Sequence, residues 1–533
     1  MLTILMVLII VFSNAAGDVF LTKGMKEIGD LSALRPFQVL QTIGRILGNP
    51  NFLAGIGCLT LSFFSFLTVL SWADLSFVIP ATAIYYVITV LGAKFLLGER
   101  IDLIRWAGTL LVCLGVALVC LPENQALSVP AILGGVRIVL CILASASAIY
   151  YLISIIAAEK FFSAPPADHP GEFRPVSILI PLRGADFHAY HNYAALCRQD
   201  YPEFEIVFGV GDSRDSSIPV IARLRADFPQ VPIELVISAE KIGPNPKVNT
   251  LNNMLPQARH ETLILLDSDI RVGPDFVKAI TAELGTSDQG LATCLYRAAE
   301  APGTPAKLEA AGISSEFAPG VLVAEMTGGI SFAFGAAIAL TRKTLDTIGG
   351  FGMIAPYLAD DYMLGNLVHK AGLPVKLSHY VVETVLPKMR MGEFIRHQVR
   401  WARGIRACTP LGHTGSLIQN GTVLSFLYFV FSGFSGFGLS IFAIVTALRL
   451  AMAWMVGVRR LGDKILRHNL LLAPVRDFFS FFIWMAALTG KRVVWRGLVF
   501  QLEDDGKITP EKTPRYDSQC EAEYRDDALT PGD

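Results

Sequence analysis

Apolar positions crowd both ends of the chain and thin out in its middle. A helix needs about 20 mostly apolar residues to cross the hydrocarbon core of a bilayer. Runs of that length predict membrane helices near 2–20, 51–72, 75–97, 104–121 and 132–157. The first run is short and N-terminal, as a secretory signal would be. It lacks a basic leading segment, however, and Asn14 and Asp18 interrupt it, so it reads as a retained helix. From about 172 to 412 short apolar runs alternate with helix-length polar stretches: "VSILIPL", "FEIVFGV", "IELVIS" and "TLILLDSD". That rhythm predicts a mostly parallel sheet covered on both faces. Apolar density returns at 422–458, long enough for two spans with a glycine-rich turn between them. A third candidate, 470–490, carries Pro474, Arg476 and Asp477 inside it. The tail after about 502 is charged and poor in apolar residues, the composition of a disordered segment.

Composition agrees with this plan. Of 533 residues 52% are hydrophobic and the mean hydropathy is +0.48, too apolar for a soluble enzyme of this length. The net charge of -1 gives no basic excess for binding nucleic acid. Eight cysteines without a CxxC pair read as reduced residues in apolar segments, not as a zinc site. Loop charge sets the orientation. Lys23, Lys26, Arg35 and Arg45 lie in the 21–50 loop, Arg100 and Arg105 in the 98–106 turn, and the 73–75 and 122–130 loops have no Lys or Arg. By the positive-inside rule, five spans starting outside deliver Lys160 and the whole middle domain to the cytoplasm, as in a bacterial inner membrane. Three full C-terminal spans would leave Lys491, Arg492 and Arg496 outside. The last apolar segment is therefore expected to be re-entrant or interfacial.

The candidate chemistry begins in "LILLDSDI", residues 263–270, where four apolar residues run into Asp267 and Asp269. Buried carboxylates are costly without a positive partner. Alone, such a pair is as readily a polar turn as a cation site. Its company favours a site: Asp212 closes "EIVFGVGD", Asp360 and Asp361 sit in "LADDYMLG", and "HQVRWARG" spans 397–404. Hard cations such as Mg²⁺ and Mn²⁺ prefer carboxylate and phosphate oxygens. A carboxylate can also take the proton of a weakly nucleophilic hydroxyl.

An acid at a strand end, a D-x-D, a later acid pair and an RW, in that order, resemble processive and lipid-directed family-2-type glycosyltransferases of the GT-A fold. "KIGPNPKVNTL" (241–251), "DSDIRV" (267–272), "ADDYML" (359–364) and "RW" (400–401) are similar to the ceramide glucosyltransferase family and its bacterial relatives, including those associated with hopanoid synthesis. The resemblance covers roughly 135–500. It implies a multi-pass α-helical membrane protein with a central α/β GT-A domain at 172–412. Around that domain, hydropathy and composition set a transmembrane helix at 132–158, membrane or interfacial helices at 416–500 and a disordered tail at 502–533. It implies an inverting transfer of glucose or a related sugar from a UDP-sugar to a lipid hydroxyl, ceramide-like or hopanoid. Asp212 would contact uracil or ribose, and Lys247 would hold the diphosphate. Asp267 and Asp269 would bind the cation, Asp267 on the nucleotide-sugar side. Asp361 would be the general base, with Asp360, His397, Arg400 and Trp401 on the acceptor and diphosphate side. Two positions depart from the pattern: His397 stands where Gln or Arg is common, and Asp269 completes a D-x-D that ceramide enzymes tend to lack.

Residues 1–121 resemble the four-helix branch of the drug/metabolite transporter superfamily, through "LGER", "RWAG" and the glycine-bearing last helix. That module would bind or flip lipid, or only anchor the enzyme; Asp18 is its intramembrane acid. Arg183, after "LIPL", either approaches the nucleotide or is an exposed loop residue. The segment 392–406 mixes arginine with Phe and Trp at helical spacing. It reads as an interfacial helix, apolar face in the headgroups and arginines on phosphates. Two other functions fit parts of the pattern: a polysaccharide synthase, and a lipid transporter with a regulatory glycosyltransferase-like domain. The first would carry Gln where His397 stands, and the second would not need an intact acidic set.

Overall fold

The computed structural model describes residues 2–28, 46, 48–95, 108–109, 112, 129–166, 173–285, 290–495 and 498–511. The chain divides into two compact units, 1–133 and 134–533.

In the first unit the helix Leu2–Ile28 packs along Pro50–Val69. Glycines set the close approach. A Cβ on Gly17 would lie 2.7 Å from the Leu59 side chain, and one on Gly55 would lie 2.7 Å from Leu21. This is the small-residue packing that apolar helices use where lipid offers no hydrophobic drive between them. Pro50 starts the second helix at a position where its missing N–H costs nothing, and the Asn49 side chain caps it. The predicted span 75–97 is two helices, Leu75–Thr82 and Tyr85–Phe95. Pro80 inside the first removes a helical donor and crowds the preceding turn, which interrupts the run. The first helix runs to Ile28, so Lys23 and Lys26 are helical and not in a loop. The predicted span 104–121 falls almost wholly outside the described residues.

A long apolar helix, Val129–Ser163, leads into the second unit. Its catalytic-sized core is an eight-stranded sheet: β1 Val176–Leu182, β2 Phe204–Val210, β3 Ile233–Ile237, β4 Thr262–Leu266, β5 Ile270–Arg271, β6 Leu291–Glu300, β7 Ala337–Thr341 and β8 Val375–Val385. The order is β3-β2-β1-β4-β7-β6-β8-β5. The first four strands are parallel, as their near-continuous apolar runs predict. The other half is mixed. β7 runs antiparallel to β4 and β6, β6 pairs β8 in parallel, and β5 pairs β8 antiparallel. Apolar clusters fill both faces, one around Ile178, Phe208 and Phe276, the other around Leu179, Val207 and Phe351. Burying each such side chain stabilises the fold by roughly 1.5–3 kcal/mol.

Among the described residues, four helices are long and apolar enough to cross a membrane: Met6–Glu27, Pro50–Val69, Leu133–Ser163 and Gly436–Arg460. The first of the two spans expected in 422–458 is an 11-residue helix, Gly421–Phe431, shorter than a bilayer crossing. The segment expected to be re-entrant or interfacial forms the 16-residue helix Leu472–Ala487, also too short. Its Arg476 and Asp477 are buried in protein. Asp477 accepts from Arg449 Nε at 2.9 Å and from the Thr422 hydroxyl at 2.6 Å, while Arg476 faces Glu316 at 3.4 Å.

The expectation of disorder from 502 onward fails for its first ten residues. β9 Arg492–Trp495, β10 Leu498–Leu502 and β11 Ile508–Pro510 form an antiparallel three-stranded sheet, with "EDDGK" as the turn. The charge there belongs to a turn between two apolar-facing strands. The rest of the tail, 512–533, lies outside the described residues.

Candidate functional site

Parallel strands of an open α/β sheet leave a crevice beyond their carboxyl ends, where ligands bind. Here Arg183 follows β1, Asp212 follows β2 by one residue, and Asp267 follows β4 directly. In-register pairing of β1 with β2 and β4 brings those ends to one edge.

Lys247 comes from the "NPK" segment. The buried Asn245 caps the helix Pro246–Met254 by accepting from the Lys247 and Val248 N–H groups, and Pro246 presets the first turn. This fixes the Lys247 backbone, and its Nζ sits 2.6 Å from Asp267 and 3.6 Å from Asp360. The partner that Asp267 requires is therefore supplied within the protein. Burial opposes the ammonium charge, but Asp267, Asp360 and Asp361 outweigh it and hold the lysine protonated above its ordinary range.

Asp360 and Asp361 open the helix Asp360–Lys370, where the helix dipole favours acids. Asp360 is 8% exposed and is reached by Asn245 Nδ2 at 3.4 Å. Asp361 accepts from the Gly335 N–H at 2.7 Å and from its neighbour Tyr362 N–H at 2.8 Å. Burial first, and then Asp360, pushes its carboxyl up to about 6 despite Lys247. Gly335 occupies the middle of the group. A Cβ there would lie 2.9 Å from Asp267 Oδ2, 3.0 Å from Lys247 Nζ and 3.2 Å from Asp361 Oδ2.

Asp269 is tied down by the Thr384 hydroxyl of β8 at 2.7 Å. Burial, then Asp267, then Asp186, pushes it up to about 7. Asp186, in the loop after β1, also accepts from the Ser268 hydroxyl. It joins the acidic group without any motif to announce it. Tyr296 on β6 was equally silent in sequence. Burial raises its phenol first, followed by the charges of Asp361, Glu309, Asp269 and Asp267.

Glu309 also anchors the RW region. The helix Met391–Cys408 starts where Glu393 accepts from the Arg390 N–H. His397 pairs with the buried Glu309 at 3.1 Å and packs on Trp401, ring centroids 4.5 Å apart. Arg400 lies over Trp495 at 5.8 Å. Phe394 and Gln398 are buried against the protein while Met391, Ile395 and Ile405 are exposed. The structure thus joins Lys247, Asp267, Asp360 and Asp361 in one group, with Asp269 beside it. Asp212 is separate and exposed, accepting from the Arg214 N–H at 2.9 Å.

Matching these motifs, the sequence profile of glycosyl transferase family 21 covers residues 139–508. The chain belongs to glycosyl transferase family 21. It is a glycosyltransferase, with a mixed α/β sheet domain and apolar helices long enough to cross a membrane. Ceramide glucosyltransferase 1 of Caenorhabditis elegans is 26% identical over 380 residues, 68% of this chain and 80% of that protein. Ceramide glucosyltransferase 3 of the same organism is 24% identical over 373 residues, with the same shares covered. Among solved structures, the mannosyltransferase PcManGT from Pyrobaculum calidifontis, in complex with GDP-Man and Mn²⁺, has a TM-score of 0.41 at 18% identity, over 66% of this chain and 97% of that one. The family match begins at residue 139 and does not include residues 1–121.

The donor set suits a hard cation. Asp267 and Asp360 pair with Lys247, Asp361 adds its charge there, and Asp269 adjoins Asp267 and Asp186, so oxygen is the only donor type among these acids. Among the described residues no three side chains converge to chelate a metal on their own. A cation held here would complete its shell with phosphate oxygens and water, as Mg²⁺ commonly does.

Proposed function

We propose that this chain is a membrane-bound inverting glycosyltransferase that moves glucose or a related sugar from a UDP-sugar to the hydroxyl of a membrane lipid, ceramide-like or hopanoid. The observation that carries the reading is the Lys247–Asp267–Asp360–Asp361 group at the carboxyl edge of the sheet, with Asp361 fixed by two N–H donors. The ceramide glucosyltransferase relatives and the apolar helices support a lipid acceptor.

Asp212 receives the nucleoside. Lys247 lies against the diphosphate and exchanges part of its contact with Asp267 for phosphate oxygens. Asp267 and Asp269 would hold Mg²⁺ or Mn²⁺, whose charge would screen the departing diphosphate. Asp361 takes the proton from the lipid hydroxyl as it attacks C1 of the sugar on the face opposite the diphosphate. One displacement converts an α-linked donor into a β-glycoside. Asp360 keeps Lys247 in place, and the helix Met391–Cys408 lies in the interface with Met391, Ile395 and Ile405 toward lipid. His397, Arg400 and Trp401 shape the acceptor side. The catalytic unit is cytoplasmic, and the membrane is a bacterial inner membrane. The first 121 residues bind or flip the acceptor or product. In proteoliposomes, deleting them then lowers lipid flipping, and unchanged flipping leaves them as an anchor.

The test is to supply the purified chain with UDP-glucose, a divalent cation and mixed membrane lipids. The reading expects a lipid-linked hexose by mass spectrometry with a β anomeric proton by NMR. An α product, or free glucose alone, rejects it.

A further inference from the structure

We propose that the C-terminal sheet β9–β11 is a strap that positions the Asp360–Asp361 segment for reaction, with Leu358 and Ile508 as its positioning residues. The proposal rests on the reading of Asp361 as the base.

Residues 355–359 link the short helical turn Phe351–Met353 to the helix Asp360–Lys370 and belong to no strand of the eight-stranded sheet. A connecting segment so close to a buried acid pair would ordinarily be the most mobile part of a site. Here it is pinned from both sides. On the nucleotide side, the Asn245 N–H donates to Ala355 O at 3.1 Å and Asn245 Nδ2 donates to Tyr357 O at 2.9 Å. On the opposite side the C-terminal sheet adds the segment as a further edge. The Ile508 N–H donates to Pro356 O at 2.8 Å, the Leu358 N–H donates to Gly506 O at 3.1 Å, and Tyr357 bridges Lys507 antiparallel. Lys507 Nζ lies 5.9 Å over the Tyr357 ring.

Packing follows the hydrogen bonds. Leu358, Ala407, Val493, Phe500, Leu502 and Ile508 form one buried cluster. It joins the segment, the RW helix and all three C-terminal strands. Gly506, at φ +88°, turns the chain so that its carbonyl meets Leu358, a conformation other residues adopt only with strain. The strap is also joined to the RW helix by the Arg403 guanidinium, which donates to Arg492 O at 2.5 Å. One residue, Ala359, separates Leu358 from Asp360. A shift of the pinned backbone therefore moves the acid pair almost directly, and misplacement by about 1 Å costs on the order of 100-fold in rate.

The experiment uses the full chain with Ile508→Pro, which removes the N–H donated to Pro356. Ile508→Val keeps that donor, and Leu358→Ala keeps the backbone bonds but empties the cluster. The expected results are a kcat lowered roughly tenfold or more in I508P and several-fold in L358A, UDP Kd changed less than about threefold in both, and kcat retained in I508V. Hydrogen exchange should quicken across 355–363 and stay unchanged in β1, β2 and β4. Should I508P fail to fold, L358A decides by the same criteria. Wild-type kcat in a variant whose 355–363 segment exchanges faster overturns the strap, and so does loss of UDP affinity in step with kcat. Asp361→Asn separates the two ideas. If that variant turns over, the base assignment fails. If it is inactive while I508P and L358A run normally, only the strap fails.

Discussion

Lys247 Nζ lies 2.6 Å from Asp267 Oδ1, so the lysine of the "NPK" segment neutralises the acid that ends β4. The same ammonium reaches Asp360 at 3.6 Å, which links the acid that ends β4 to the acid pair carrying Asp361. One cation thereby organises both halves of the site before any ligand enters.

Replacing Lys247 with Met should weaken UDP binding about 10- to 100-fold, equivalent to about 1.4–2.8 kcal/mol. Arginine should restore little, because its planar fork cannot occupy the place of a point charge between two carboxylates. Titration calorimetry with UDP checks this; an unchanged Kd in Lys247→Met removes the residue from the nucleotide site.

Gly335→Ala places a methyl among the Asp267, Lys247 and Asp361 terminal atoms. Those atoms are side-chain ends, so the fold should tolerate the methyl at a cost of about 1–3 kcal/mol. Catalysis should not, with kcat/KM expected to fall about 100-fold or more. Steady-state kinetics beside a thermal melt separates the two effects.

With its carboxyl pushed up to about 6, Asp361 is ionised near neutrality and takes up a proton as the pH falls through that value. A base that must be ionised then loses activity on the acid side. We expect kcat/KM to decline about tenfold per pH unit below about pH 6 and to level off above about pH 7. A rate sustained to about pH 4 would mean that another group takes the proton.

Much of this architecture is legible in the sequence, and the gaps have physical causes. β1, β2, β3 and β4 are apolar runs bounded by turn residues, and buried parallel strands leave that mark. β8 is harder to read: "VKLSHYVVETV" mixes charged and apolar residues because its faces meet different neighbours. Asp267, Asp361 and Lys247 stand in recognisable motifs. Asp186 and Tyr296 do not, since the chain folds them into the group from a loop and a middle strand. The C-terminal strands are hidden by "EDDGK", whose charge resembles that of a tail, although "RVVW" and "LVFQL" are short runs rich in β-branched and aromatic residues. Arg476 and Asp477 broke up an apolar run for a reason visible only in three dimensions, their burial beside Arg449 and Glu316.

That buried set makes its own prediction. Asp477→Ala leaves the Arg449 guanidinium, 1% exposed, without its carboxylate. Removing one partner of a buried pair typically costs about 3–5 kcal/mol. The variant should melt well below the parent in detergent, and replacing both residues with apolar ones should recover most of the loss.

The most direct measurement of the central claim is the lipid extract of a host without glycolipids expressing either the parent chain or Asp361→Asn, read by thin-layer chromatography and mass spectrometry. The account predicts a new hexosylated lipid from the parent and none from the variant, while the purified variant still binds UDP. Equal amounts of that lipid from both chains, or none from the parent, would contradict it.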